Sequence, residues 1–280
     1  MREISADQIT ETVARLCMEA NYELGDDVYQ ALKAGAESEE SPVGREIFGQ
    51  LVENAEIARA GQVPMCQDTG FALVFVELGQ DVHVTGGLLG DAINAGVAKG
   101  YLEGYLRKSI VGHPLERKNT GTNTPAVIHT EIVPGDRLKI AIAPKGGGSE
   151  NMSGVRMLKP SDGIEGVKKF VVELVKAGGS NPCPPIMVGV GIGGTMDKAA
   201  VLSKKALLRK IGEHNPNQPD AELEKELLKL VNDTGVGPAG LGGRITALAV
   251  NVETFPCHIA SLPMAVTIQC HAARHKEAVL

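Results

Sequence analysis

Val63-Pro64-Met65-Cys66-Gln67-Asp68-Thr69-Gly70, followed at once by the apolar run 71–78, is where the chain turns from helical to strand periodicity. Pro64 fixes its own φ and biases Val63 toward extended geometry, and Gly70 permits a turn before the apolar run. A thiol, an amide and a carboxylate therefore sit side by side on a loop that enters a strand. Upstream, Ser5 and Gln8 have the spacing of a capping box, and Ile9, Val13, Leu16, Cys17 and Ala20 recur at helical spacing, which makes Cys17 a core residue. Ser41-Pro42 supplies a cap and a proline at the first helical position, and Gly61 is suited to end that second helix. Residues 1–62 thus read as a mainly helical lead-in to a mixed α/β part, residues 63–280.

Beyond the loop, residues 71–78 and 82–84 read as strands and residues 89–110 as a helix, with Arg107 near its C-terminal end. A cation there is favoured by the helix dipole, and a ligand-binding role is equally open. Residues 125–133 and 137–143 have the pattern of a hairpin joined through Pro134-Gly135-Asp136. The second strand runs into Lys145-Gly146-Gly147-Gly148-Ser149-Glu150-Asn151, a glycine run that can turn successive N–H groups toward an anion or simply connect two elements. It has no Gly-Lys-Ser/Thr ending, so it is not a Walker loop. A helix capped by Ser161 ends at Gly178-Gly179 and leads through Asn181-Pro182-Cys183-Pro184-Pro185 into a strand over 186–192.

Gly189-Val190-Gly191-Ile192-Gly193-Gly194 matches a dinucleotide fingerprint, with a helix expected over 195–210. A Rossmann unit should return to a parallel strand bearing an acidic residue, whereas this chain passes to His214-Asn215-Pro216 and another helix ending near Val231. Nucleotide binding is therefore disfavoured. The last part holds Phe255-Pro256-Cys257-His258 and a strand over 264–269 that ends in Cys270. His271 and His275 would share a face on a helix, as in some zinc sites, but there is no His-Glu-x-x-His. The absence of repeats, low-complexity tracts or a linker makes one domain, residues 1–280, the expectation. Its class is α/β, mixed β-sheets flanked by helices.

The composition narrows the function. With 280 residues and 43% hydrophobic content the chain can fill a large core. Aromatics make up 3%, there is no Trp, and the net charge is -6. These values argue against nucleic acid and anionic membranes as partners, so an anionic substrate must be met by local cations or backbone amides. With neither a signal-peptide pattern nor a membrane-spanning run, the expected location is cytoplasmic. Five cysteines at scattered spacing suit metal binding or buried thiols better than a disulfide framework. Three separated thiolates can hold three irons of a 4Fe-4S cluster and leave the fourth open as a Lewis acid, which suits dehydration of a hydroxy acid. Such an elimination also needs a base and cations, for which Asp68, Arg107, His258 and the glycine run are candidates.

Five motifs in order, 64–70, 145–151, 181–185, 256–258 and 269–275, together resemble the iron-sulfur (class I) fumarate hydratase and L-tartrate dehydratase family over nearly the whole chain. The resemblance implies that Cys66, Cys183 and Cys270 bind a 4Fe-4S cluster with one iron not ligated by cysteine, leaving Cys17 and Cys257 aside. It implies that Gln67, Asp68, Arg107, Gly147 and His258 contact a small dicarboxylate, with Asp68 giving or taking a proton. Single-chain relatives continue into a second domain, so the chain looks like an α subunit completed by a separate β subunit, as a dimer of α–β pairs. Fumarate hydration to L-malate is the leading expectation, and L-tartrate dehydration the close alternative. A non-catalytic iron-sulfur or redox-sensing module would be favoured only by a fourth protein ligand.

Overall fold

The computed structural model describes residues 1–280. In chain order its elements are β1 Arg2–Ser5, α1 Ala6–Tyr22, α2 Asp26–Ser38, α3 Pro42–Gly61, β2 Phe71–Gly79, β3 Val82–Thr85, α4 Leu89–Glu103, β4 Val127–Val133 and β5 Leu138–Lys145. There follow the single turn α5 Gly147–Glu150, β6 Gly154–Leu158, α6 Gly163–Gly178, β7 Ile186–Gly193, α7 Met196–Ala206, α8 Gln218–Asn232, β8 Ala247–Phe255, β9 Leu262–Gln269 and β10 Lys276–Val279. The class is mixed α/β, and the lead-in is helical as its periodicity predicts, except for the short β1. No helix is long and apolar enough to cross a membrane.

The elements pack as two compact units. The first comprises Met1–Leu24, Ala55–Gly147 and Arg274–Leu280, and the second Gly25–Asn54 and Gly148–Ala273. In the first, Ser5 caps α1 in a full capping box with Gln8. Helices α1 and α4 cover a four-stranded sheet of order β10-β5-β2-β4, around a core that includes Ile9, Val13, Val74, Tyr101, Ile140 and Ile142. Burial pushes the Cys17 thiol up to about 12, so it stays protonated and unreactive at neutral pH.

Two expectations change here. Strands β4 and β5 do not form a hairpin: β4 pairs parallel and β5 antiparallel with β2, which lies between them. The connection cannot close tightly because the main chain at the end of β2 fills it. Gly79 N donates to Arg137 O, Gln80 N to Val133 O and Asp81 N to Gly135 O. Helix α4 stops at Glu103, where Tyr105 at φ 52° turns the chain out of helical geometry, so Arg107 lies in the following loop.

The second unit has a sheet of order β6-β9-β7-β8. Alternation along β7 assigns its faces. Val188 and Val190 join Val171 and Leu227 in the core with α6 and α8, while a Cβ on Gly189 would overlap the Ser203 carbonyl of α7 and one on Gly191 that of Ala199. The fingerprint glycines thus let α7 lie directly on the sheet. The parallel return strand absent from the sequence reading does exist: β7 pairs in parallel with β8 after a crossover containing both α7 and α8. Its acidic residue, Glu253, is engaged by Arg209 at 2.7 Å.

Candidate active site

Register decides what meets in the first unit. Phe71 at the start of β2 faces Lys145 at the end of β5, and Lys276 at the start of β10 faces Ile142. One end of the sheet therefore gathers the Cys66 loop, the glycine run and the segment before β10. The Asp68 carboxylate is held at both oxygens, Oδ1 accepting from Gly70 N at 3.1 Å and Oδ2 from Gly147 N at 2.8 Å. Cys66 Sγ accepts the Asp68 N–H at 3.4 Å and lies 3.5 Å from Gln67 Oε1. Gly70, at φ 81°, is required because a Cβ would stand 2.7 Å from Lys145 N.

The carbonyls of this loop are tied down one after another. Arg274 Nη2 donates to Asp68 O at 2.5 Å, Tyr101 Oη to Thr69 O at 2.8 Å, and Asn123 Nδ2 to Gly70 O at 3.1 Å. Thr69 Oγ1 donates to Arg107 O at 3.0 Å, which brings the Arg107 loop alongside. Arg107 and Gln67 are exposed, and the Arg107 guanidinium makes no ion pair. The sequence of the loop itself does not point to Tyr101, Asn123 or Arg274. Arg274 had a signal, a lone cation following Ala272-Ala273 in the 269–275 motif, but nothing in the sequence shows that Tyr101 turns its hydroxyl onto this loop.

In the second unit, the antiparallel register Met187 to Gln269 places the start of β7 beside the end of β9. Cys183 and Cys270 therefore share one end of that sheet. His271 N donates to Cys183 O at 3.3 Å, and His271 Nδ1 lies 3.1 Å from the same oxygen. Cys183 is exposed and, unusually for a residue with a side chain, has φ 56°. His258 is elsewhere. It follows β8, whose far end is fixed by Gly194 N donating to Pro256 O. It is thus separated from Cys183 and Cys270 by the length of β7, roughly 25 Å at the usual strand rise. Ala260 N donates to its Nδ1 at 3.1 Å, which puts the proton of the neutral ring on Nε2. It lines a cavity of about 460 Å³ with Ile192, Ile164, Asp220, Cys257 and Leu262.

Residues 271–275 are not helical, so His271 and His275 do not share a helix face, and no three His, Cys, Asp or Glu side chains are grouped to hold a metal ion. The cysteines themselves divide by environment. Cys17 is fully buried, and Cys257 Sγ donates to Ser261 O at 3.3 Å. Cys66, Cys183 and Cys270 lie near strand ends with at least partial exposure, and Cys257 is exposed as well, so exposure sets apart Cys17 alone.

The pattern of the fumarate hydratase (fumerase) family matches residues 10–279. The chain belongs to that family. Among individual proteins, a chain provisionally named L(+)-tartrate dehydratase subunit alpha of Methanocaldococcus jannaschii is 46% identical over 273 residues, 95% of this chain and 95% of its own length. L(+)-tartrate dehydratase subunit alpha of Escherichia coli strain K12 is 35% identical over 273 residues, 96% of this chain and 90% of its own. The same figures hold for the subunit of that name in Shigella sonnei strain Ss046. This member of the fumarate hydratase family thus carries its Cys66, Cys183 and Cys270 segments inside a match that runs almost end to end.

Proposed function

We propose that the chain is the α subunit of an iron-sulfur hydro-lyase that removes water from L(+)-tartrate. The observation that carries the reading is the near full-length similarity to chains named as L(+)-tartrate dehydratase α subunits. Reversible hydration of fumarate to L-malate is the second reading, favoured by the description of the family itself.

The residues fit the cofactor this family implies. Cys66, Cys183 and Cys270 offer accessible soft donors, and the Asp68 N–H on Cys66 Sγ is a bond of the kind that tunes cluster thiolates. When bound, a cluster with one open iron supplies a Lewis acid for the substrate hydroxyl.

The chain's own residues do the rest. Asp68, its plane fixed by two N–H donors, gives a proton from a carboxyl oxygen to the departing hydroxyl oxygen as the C–O bond breaks. Gly147 orients Asp68, the acceptor its N–H already has. Arg107 holds one substrate carboxylate through paired N–H bonds, and Gln67 donates beside it. Loss of the C–H proton to a base and of hydroxide as water leaves an enol that becomes the keto acid. The base, and cations for the second carboxylate, come from a separate β subunit. The α–β pairs assemble as a dimer, and His258, at the far end of its sheet from Cys183 and Cys270, takes no part in these steps.

Kinetics of the anaerobically reconstituted α–β pair on L(+)-tartrate, L-malate and fumarate test the reading. We expect kcat/KM for L(+)-tartrate to exceed the others at least about ten-fold, well within the roughly 10⁴–10⁵ that a site hydrogen-bonding one more hydroxyl can reach. The reverse order would establish the fumarate reading instead.

A further inference from the structure

Arg274 is 3% exposed, and only one of its three nitrogens has a partner: Nη2 donates to Asp68 O, while Nε and Nη1 are buried without an acceptor. No carboxylate forms an ion pair with it. A buried guanidinium so poorly matched opposes folding, and an apolar residue of similar volume would be the better choice for the core. What it provides is a fixed donor for the carbonyl of the residue whose carboxylate faces Gly147. Tyr101, fully buried, shares its one hydroxyl proton between the next two carbonyls, Thr69 O at 2.8 Å and Gly70 O at 3.0 Å.

We propose that Arg274 is a positioning residue of the reaction, which acts through the Asp68 main chain to hold the Cys66–Asp68 loop and the Asp68–Gly147 contact in register. The proposal rests on the role given to Asp68 above. Tyr101 is its companion: two buried side chains, from α4 and from the segment before β10, fix three successive peptide units from behind. The reactive side chains are thereby left to face outward without having to stabilise their own loop.

Amide hydrogen exchange on the cluster-free chain, read by mass spectrometry over peptides spanning 63–72 and 144–150, tests the positioning. In Arg274→Gln, exchange should quicken about ten-fold at Asp68, Gly70 and, 79 residues away from Asp68, at Gly147. Peptides of α6 should not change, and Arg274→Lys should restore part of the protection. In the α–β pair the same variant should lower kcat at least ten-fold with KM within about two-fold. If Arg274→Gln fails to fold, Tyr101→Phe, which removes only the hydroxyl, should quicken the same amides. Unchanged exchange at 68–70, a uniform rise in all peptides, or an unchanged kcat would overturn the proposal. Failure of the substrate assignment shows differently, as a wild-type pair inactive on L(+)-tartrate with exchange still responding to Arg274.

Discussion

Asp68 and Cys17 mark the two ends of what a single side chain can do in this fold. Asp68 presents a carboxylate with one lone pair on each oxygen taken by a backbone N–H. Asp68→Asn must turn an NH₂ group toward one of those donors and can no longer transfer a proton. We expect kcat to fall by about 10²–10⁴, the usual worth of general acid–base catalysis, with iron content near normal. Undiminished turnover would return Asp68 to a structural role. Cys17 is the control for the thiols. Its buried, protonated sulfur packs against apolar neighbours, so Cys17→Ser should keep the visible absorption of the reconstituted cluster, whereas Cys183→Ser should lose it. The separation of Cys17 from the other thiols was legible in the sequence, because helical periodicity alone assigns it to the core. The Asp68–Gly147 bond was not, because it joins residues 79 apart through the register of β2 on β5.

Elements show where sequence reading carries and where it stops. Helix α1 and the Cys66 loop were readable because their signals, a capping box and a Pro-to-Gly turn, are local. The β4–β5 hairpin was misread because a tight-turn sequence does not reveal that β2 lies between the strands. The crossover from β7 to β8 was missed because two helices intervene. Gly189 now has a packing role under Ser203 of α7. Gly189→Ala should therefore destabilise the protein by about 3 kcal/mol in denaturant unfolding. A neutral outcome would mean that α7 does not rest on β7 as described. Glu39, at the end of α2, makes a different link. Its carboxylate accepts from the backbone N–H groups of Ser41, Arg244 and Ile245 at 2.8–2.9 Å. Burial raises its pKa, and those donors together outweigh burial and hold it below the ordinary carboxylate value. A depressed folded-state pKa adds stability above the unfolded value of about 4.3, and that stability is lost as pH falls through the folded one. Glu39→Gln should thus cost about 2 kcal/mol at pH 7, with the gap closing below about pH 4. A gap independent of pH would show that the charge contributes nothing.

At the scale of the whole molecule, the chain supplies thiols, an oriented carboxylate and an exposed guanidinium at Arg107, and the proposed elimination draws its C–H base and further positive charge from a β subunit. Family membership and the mixed α/β class agree with the sequence motifs, which were specific because five of them occur in order. The substrate was not legible, since one hydroxyl separates malate from tartrate. The central claim is that this chain is the cluster-holding half of a two-subunit hydro-lyase. It is tested most directly by measuring turnover of L(+)-tartrate by the anaerobically reconstituted chain before and after addition of its β subunit. The account predicts no turnover by the chain alone and turnover once the partner is added; full turnover by the chain alone, or none by the pair on any of the three substrates, would contradict it.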